Sequence, residues 1–245
     1  MDEPPADAEE EAAEQLTSVA ELLAEAAVDS HPGLLEVLRR HTWVGLASDS
    51  WALAQHGTKL YLLAAPRIAR ELFRQLALRR FGRLAALRLQ PPAPLEALLL
   101  EAAGEVAEGE RAEWAACSAQ LLLAKGPMLA EYFSVGVEQG EGGAAVLTSL
   151  PALLDGHTPA LAALPEFLAQ LCSDTDWARE KGCFAAVARH LGAFYVEQLS
   201  EREVREAVMP ALRSAAFCPP RCWAENGTVM QVASLEQLYR VFERC

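Results

Sequence analysis

The stretch TWVGLASDSWALAQHGTKLYLL, residues 42–63, decides the fold class. It holds three apolar runs, Thr42 to Ala47, Trp51 to Gln55 and Lys59 to Leu63, and the last two flank His56-Gly57-Thr58. Such runs, rich in aromatic and branched residues and separated by short turns, are typical of consecutive antiparallel strands. We therefore expect a three-stranded β-meander here.

Helical patterns lie on both sides of this meander. An amphipathic run with Leu16, Val19, Leu22 and Leu23 begins the ordered part, and residues 34–40 continue as a helix. After the meander, Pro66 suits the first turn of a helix. Ile68, Leu72 and Leu76 recur at the i+4 spacing of a buried helix face. Strands and helices together predict an α/β (α+β) fold.

Composition limits the class of protein. The 245 residues are 52% hydrophobic, enough to bury a substantial core. The net charge of −13, from 21 basic and 34 acidic residues, argues against a surface built to neutralise phosphates. Seven of the acids fall within residues 1–14, which contain no base. We therefore expect residues 1–15 to be the disordered end of an acidic linker.

Targeting and redox features point to a reducing compartment. No basic segment precedes an apolar stretch, and the longest uncharged run, 142–154, is shorter than the roughly 20 residues that span a bilayer. The six cysteines contain no C-x-x-C pair, which suits free thiols. Nucleus or cytoplasm fits both observations.

The second half of the chain is mainly helical by pattern. A short strand at 85–89 runs into QPPAP, residues 90–94, which predicts a subdomain boundary. Helices are expected at 95–103 and 110–133, followed by β-like runs on either side of a Gly-rich turn. We expect residues 150–171 to form short strands and turns, and residues 177–198 and 201–216 to form two further helices.

The C-terminal segment predicts a strand and a docked helix. The turn Glu225-Asn226-Gly227 leads into a strand from Val229 to Val232. Ser234 and Gln237 form a capping-box pattern at the start of the last helix. Its apolar stripe would consist of Leu235, Leu238, Val241 and Phe242 and would place Cys245 at the helix end.

Motifs of common enzymes do not occur in the sequence. Phosphate-loop, dinucleotide, zinc-hydrolase and serine-hydrolase patterns are all lacking. Cys218 and Cys222 bracket Pro-Pro-Arg and are interpreted as two buried thiols at a loop, and His190 as a core residue. The seven arginines between 67 and 88 are interpreted as a solvated helix face.

Two stretches carry a family resemblance. WALAQHGTKLYLL (51–63) and LEQLYRVFERC (235–245) closely resemble the C-terminal domain of the MutL mismatch-repair family, in the eukaryotic subunit that lacks its own nuclease site. Similar segments follow in the same order between them, among them GPMLAEYFS (126–134) and DWAREKGCF (176–184). The resemblance covers about residues 16–245.

The resemblance implies an architecture and an interface. Residues 16–90 and 200–245 would form one dimerisation subdomain, and residues 91–199 an external subdomain that docks other proteins. Each would contain a small mixed sheet with flanking helices. The residues expected at the dimer interface lie in the meander and the last helix: Trp43, Val44, Leu60, Leu62, Leu238, Val241 and Phe242.

The resemblance also bears on catalysis. Nuclease-bearing relatives carry Asp-Gln-His-Ala and two later acids, and the resemblance matches these to Ala54-Gln55-His56-Gly57, Leu60 and Ala65. Side chains without oxygen do not bind hard cations, so the resemblance implies a chain that does not cut DNA itself. A metal-dependent endonuclease acting as a homodimer is the alternative, and a thiol redox module is a third.

The terminal Cys245 receives its role only from the resemblance. One thiolate does not hold zinc without about three further ligands. In the relatives, however, the final Phe-Glu-Arg-Cys reaches across the dimer to the zinc region of the nuclease subunit. The implied partners are a nuclease-bearing MutL paralogue, a repair exonuclease and other repair proteins, with DNA engaged mainly indirectly and no membrane. The isolated chain would bind no cofactor and would act in the nucleus.

Overall fold

The computed structural model describes residues 6–234, with side chains from residue 17 onward except that of residue 141. The main helices are α1 (Ala6–Val28), α2 (Pro32–Arg40), α3 (Ala65–Arg79), α4 (Leu95–Ala102), α5 (Arg111–Phe133), α6 (Leu164–Ser173) and α7 (Glu180–Phe194). The strands are β1 (Thr42–Ser48), β2 (Trp51–His56), β3 (Lys59–Ala64), β4 (Ala86–Pro94), β5 (Gly136–Gln139), β6 (Ala145–Pro151) and β7 (Val229–Ser234).

Shorter helical turns lie between these elements, among them the 3₁₀ turns Glu141–Gly143 and Leu161–Ala163. A 3₁₀ turn, Ala103–Glu105, follows α4. The segment after α7 holds a helical turn, Glu201–Glu203, a π-helical turn, Val204–Val208, and a last α-turn, Met209–Ala211. A further 3₁₀ turn, Arg221–Ala224, precedes β7. No helix in residues 6–234 combines the length and the apolarity needed to cross a membrane.

The first sheet confirms the predicted meander and adds a strand from the end of the chain. Its order is β1-β2-β3-β7, and each pair is antiparallel. The β2–β3 turn contains Gly57 at φ +58°, a conformation that favours glycine. The strand predicted at Val229 to Val232 is confirmed as β7, which pairs with β3. The first and last described parts of the chain therefore share one sheet.

The second sheet has the order β4-β6-β5 and is antiparallel as well. The expectation that each sheet would be mixed is therefore wrong, because every strand pair in the two sheets is antiparallel. The short link of residues 140–144 joins β5 to β6, whereas a parallel pair needs a crossover of about a dozen residues or more. The α+β class with two small sheets and flanking helices is confirmed.

The proline-rich segment does not end the strand that precedes it. β4 runs through Pro91 and Pro92 to Pro94, and its pairing with β6 is interrupted between Arg88 and Ala93. Prolines are tolerated here because β4 is an edge strand, where a missing N–H leaves no ladder bond unmade. Residues 86–90, assigned to the dimerisation part from sequence, therefore belong to the second sheet.

Two other expectations fail because the segments form helices. Residues 6–15, expected to be disordered, form the start of α1, because alanine and glutamate are strong helix formers. Residues 164–173, expected as strands and turns, form α6, whose first turn contains Pro165. The buried side of α6 carries Leu164, Phe167, Leu168 and Leu171 at helical spacing.

One hydrophobic core connects the two sheets. It includes Ala54 and Leu63 of the first sheet and Leu147 of the second, all fully buried. Helices α3 and α7 cross in close contact at Gly192, where a Cβ atom would lie 2.6 Å from the carbonyl oxygen of Arg70. Glycine at this position therefore allows the backbones of the two helices to approach.

The segment before β7 is tied to the N-terminal helices by side-chain hydrogen bonds. The buried Gln75 amide donates to Cys218 O at 2.7 Å and accepts from Cys218 N at 3.0 Å. Arg39 donates to Ala215 O at 2.6 Å, and Arg213 donates to His41 O at 3.1 Å. These contacts direct the returning chain to the edge of β3.

Candidate dimerisation surface

One face of the first sheet is apolar and lies outside the core. The register places Leu53, Leu62 and Met230 side by side across three strands, and Leu60 two residues from Leu62 along β3. We call these four residues the outer face. All four are half-buried, and none of them belongs to the core of the described residues or packs against it.

The opposite face of the same sheet is covered. Ala52, Ala54 and Leu63 have no exposed surface, and Val229 beside Leu63 is also buried. Because side chains alternate along a strand, neighbouring residues such as Leu62 and Leu63 lie on opposite faces. A sheet with two apolar faces but only one covered by helices retains an apolar surface that a partner can bury.

The interface residues predicted from sequence separate into three groups. Leu60 and Leu62 lie on the outer face, and Val44 is 51% exposed at an irregularity of β1. Trp43 is different, because it pairs with the buried Ala54 and packs against the core. Trp43 therefore lies on the covered face of the sheet and does not belong to the outer face. Leu238, Val241 and Phe242 lie outside the described residues.

Sequence reasoning missed two members of the outer face, Leu53 and Met230. Leu53 could have been found from its spacing, since it alternates with the buried Ala52 and Ala54. Met230 required the pairing of β7 with β3, which no local pattern specifies. Val232, which is 49% exposed, lies at the irregularity of this pair and extends the apolar surface.

At its Met230 end the outer face borders a cavity of about 520 Å³, which is lined by both apolar and polar side chains. Trp51, Pro66 and Met230 contribute apolar walls, and Asn226 and Arg67 contribute polar groups. Arg67 is exposed, and within the described part of the chain it has no ion pair. The apolar surface therefore has a cationic end, where a carboxylate of a partner could bind.

The three positions matched to nuclease carboxylates do not form one site. Ala54 pairs with Tyr61 on the covered face, whereas Leu60 pairs with Gln55 on the opposite face. Carboxylates at these two positions would point away from each other and would not share a metal ion. The expectation that Ala54, Leu60 and Ala65 mark the lost nuclease site is therefore wrong. His56 lies at the end of β2 opposite Lys59.

Metal ligands and reactive thiols are sparse in the described residues. No group of three or more His, Cys, Asp or Glu side chains in residues 17–234 is arranged to hold a metal ion. Cys245 lies outside this range. Burial raises the pKa of Cys172 and of Cys183 to about 11, which keeps both protonated at neutral pH. This argues against a redox role for either thiol.

The remaining sequence-based interpretations have mixed outcomes. His190 is buried, as expected for a core residue, and its burial lowers the pKa of the imidazole. Cys222 is exposed and Cys218 only half-buried, so the interpretation as two buried thiols is wrong. Cys222 lies in the turn Arg221–Ala224 before β7, and Cys218 precedes that turn. The arginines at 67, 70, 80, 83 and 88 are exposed, whereas Arg74 and Arg79 are half-buried. The interpretation as a solvated face therefore holds for five of the seven, and of these five only Arg67 and Arg70 lie on α3.

Comparison with known families identifies the class of protein as a MutL-type C-terminal domain. Residues 15–245 match the family described as DNA mismatch repair protein Mlh1 C-terminus, and the chain belongs to that family.

Curated relatives agree with this assignment. The chain is 30% identical to DNA mismatch repair protein Mlh1 of Dictyostelium discoideum, over 94% of this chain and 30% of that protein. It is 27% identical to Putative MutL protein homolog 1 of Schizosaccharomyces pombe, over 94% of this chain and 35% of that protein. It is also 27% identical to DNA mismatch repair protein MLH1 of Saccharomyces cerevisiae, over 94% of this chain and 34% of that protein. The chain thus spans about a third of these relatives' length.

Lysine substitutions at two adjacent leucines test whether the outer face is free of core packing. Leu62→Lys should change the free energy of unfolding of the lone chain by less than about 1 kcal/mol, because its side chain stays in contact with water. Leu63→Lys should lower it by about 3 to 5 kcal/mol, because it places a charge in the core. Urea denaturation followed by circular dichroism measures both. Equal losses would show that both faces are structural.

Proposed function

We propose that this chain is the heterodimerisation domain of a DNA mismatch repair protein and pairs, through the outer face, with a nuclease-bearing MutL paralogue. The observation that carries the proposal is the row Leu53, Leu62 and Met230, which is apolar, continuous across three strands and outside the core. Membership of the Mlh1 C-terminal family supports it.

The physical basis is the burial of apolar surface. Burying a leucine or methionine side chain contributes about 1.5 to 3 kcal/mol, so four such residues supply a substantial part of a stable association. An obligate pair should bury on the order of 2,000 Å² in total, more than the four side chains provide. Val44 and Val232 beside them, and the predicted stripe Leu238, Val241 and Phe242, would enlarge the contact. Arg67 at the cationic end would fix the register of the partner.

The rest of the domain would serve as a docking platform. We assign the first sheet, with residues 16–85 and 200–245, to dimerisation, and residues 86–199, which contain the second sheet, to an external subdomain. The boundary between the two parts lies before residue 86, and not at residue 90 as the sequence suggested, because β4 begins at Ala86. A repair exonuclease and other repair proteins would dock on the external part. The net charge of −13 favours an indirect engagement of DNA, and the site of action would be the nucleus.

The chain would not cut DNA itself but would complete the metal site of its partner. Cys245 would offer its thiolate to a zinc ion held in the nuclease subunit, and the isolated chain would bind no cofactor. A bound zinc ion deprotonates a coordinating thiol, so the pKa of the free Cys245 thiol need not be lowered beforehand. This arrangement would couple nuclease competence to correct pairing, because an unpaired nuclease subunit lacks one ligand.

Co-purification with a nuclease-bearing MutL paralogue tests the pairing. The double substitution Leu60→Lys and Leu62→Lys should reduce heterodimer recovery at least about tenfold, because two charges would lose hydration in the interface. Leu100→Lys with Leu161→Lys is the matched control, since these leucines are 48% and 52% exposed and lie outside the first sheet.

Undiminished recovery of the Leu60/Leu62 variant would show that the paralogue binds elsewhere. The same preparations separate the proposal from the homodimeric endonuclease alternative. A lone unsubstituted chain that sizes as a homodimer and nicks supercoiled DNA with added manganese or zinc would support the alternative and contradict the proposal.

Deletion of Cys245 tests the ligand offered to the partner. The variant should form the heterodimer normally, while zinc retention and DNA nicking by the complex should both fall, because zinc requires about four ligands. Elemental analysis and a plasmid-nicking assay measure the two effects. Cys222→Ser is the control, because it removes an exposed thiol elsewhere in the chain. Unchanged zinc content and nicking after the deletion would show that Cys245 is not a zinc ligand.

A further inference from the structure

A buried histidine connects the external part of the chain to the dimerisation part. His157 lies in the loop after β6, and its side chain is almost fully excluded from solvent. Its Nδ1 lies 2.8 Å from Oε1 of Glu203, and its Nε2 lies 2.9 Å from the carbonyl oxygen of Tyr195. The ring of Phe73 on α3 stacks on the imidazole, with the ring centroids 5.0 Å apart. A loop of the external part therefore contacts Phe73 and Glu203, which both belong to the dimerisation part.

Both ring nitrogens of His157 face hydrogen-bond acceptors. The carbonyl oxygen of Tyr195 only accepts, and the carboxylate of Glu203, when ionised, also only accepts. A neutral imidazole has a single N–H and donates to one of these partners at a time. The ring therefore satisfies both partners only as an imidazolium, with a proton on each nitrogen.

The hydrogen bonds of Glu203 place the extra proton on the ring and not on the carboxyl group. Burial opposes the ionisation of Glu203, but hydrogen bonds from Ser200 and from His157 outweigh burial and lower the pKa of the carboxyl. Its Oε2 accepts from the Ser200 backbone N–H at 2.9 Å and from the Ser200 hydroxyl at 2.6 Å. Glu203 is therefore ionised at neutral pH, and the contact with His157 is an ion pair.

Glu203 is the one charged side chain that contacts the imidazole in the part of the chain that the structure describes. The hydroxyl of Tyr195 donates to the carbonyl oxygen of Pro151, and burial raises its pKa, so it stays neutral. Arg80 at the end of α3 donates to the carbonyl oxygen of Leu153 at 3.4 Å. The other charged groups nearest in sequence to these contacts are exposed or paired with each other: Arg70, Arg74 with Glu71, Asp155, Glu197, Glu201, and Arg202 with Glu206.

The chain that joins the two parts has two irregular conformations beside this contact. Gln198 has φ +56°, a left-handed conformation that is costly for a residue with a side chain. The helical turn Glu201–Glu203 passes directly into the π-helical turn Val204–Val208, where the N–H of Met209 donates to the carbonyl oxygen of Val204, five residues earlier. Such conformations persist only where the surroundings hold them, and π-helical turns are frequent at functional sites. The ion pair of Glu203 with His157 supplies such support.

We propose that residues 198–208 form a hinge between the two parts and that His157, with both ring nitrogens protonated, holds this hinge closed. Loss of the Nδ1 proton as the pH rises turns a lone pair toward the Glu203 carboxylate and replaces attraction with repulsion. On the acid side the contact is lost only when Glu203 is protonated, which occurs below the ordinary range of a carboxyl because its pKa is lowered. The closed hinge is therefore stabilised at neutral and mildly acidic pH and is released at alkaline pH.

Hydrogen exchange of the lone chain, read by mass spectrometry, tests the hinge without requiring a partner protein. Between about pH 6 and pH 9, protection of peptides that cover residues 198–208 should fall at least about tenfold after correction for the intrinsic exchange rate, because a charge-assisted hydrogen bond is lost. Peptides from β2 and β3 are the internal reference and should keep their protection. The inference uses the proposed function only to name the two parts, so a failure to pair with a paralogue would leave it intact.

Glu203→Gln is the matched variant. A glutamine keeps the capping box with Ser200, and its amide N–H donates to Nδ1 of a neutral His157. Protection of residues 198–208 in this variant should therefore be the same at both pH values. The same pH dependence in Glu203→Gln as in the unsubstituted chain would overturn the proposal, and so would equal protection of the unsubstituted chain at both pH values.

The ring protons of His157 give an independent measurement. Long-range ¹H–¹⁵N spectra should show both nitrogens of this ring protonated at about pH 6 in the unsubstituted chain, and only Nε2 protonated in Glu203→Gln. The signals are assigned by their absence in His157→Gln. A neutral His157 ring at about pH 6 in the unsubstituted chain would overturn the proposal.

Discussion

The pairing of β7 with β3 is the constraint on which the rest of the structure depends. It brings residues 229–234 beside residues 59–64 and closes a loop that contains the whole second sheet and most of the helices. Closing so long a loop costs conformational entropy that grows slowly with its length. The hydrogen bonds of Gln75 to Cys218, and those of Arg39 and Arg213, hold the returning chain in place before the strand begins.

This pairing also completes the outer face. Without β7 the outer face would lack Met230, and β3 would present an unpaired edge prone to non-specific association. With β7 in place the sheet has four strands, and its apolar row runs from Leu53 through Leu62 to Met230. The opposite face of this sheet is covered, and its buried Ala54 and Leu63 belong to the core. The outer face is the apolar face of this sheet that the core does not cover.

Local patterns predicted the elements with short-range causes. The meander of residues 42–63 and the start of α3 at Pro66 follow from alternation, turn glycines and proline, all of which act within a few residues. The errors arose where tertiary context decides. An edge position allowed β4 to continue through its prolines, and packing against the core kept Trp43 on the covered face. The α6 helix is an error of a different kind, because its apolar spacing was present in the sequence. Leu60 and Leu62 of the outer face were predicted, and the alternation with Ala52 and Ala54 also marks Leu53, whereas Met230 depended on a long-range pairing that a single sequence does not specify.

Oxidation of methionine side chains by hydroxyl radicals tests most directly whether the outer face forms the interface. It is read by mass spectrometry in the lone chain and in the heterodimer. Met230 lies on the outer face, and Met128, also half-buried, lies on α5 away from the first sheet. Pairing should protect Met230 strongly and leave the oxidation of Met128 unchanged, because burial in an interface excludes the oxidant with the water. Equal oxidation of Met230 in both states would contradict the claim that this sheet face forms the interface.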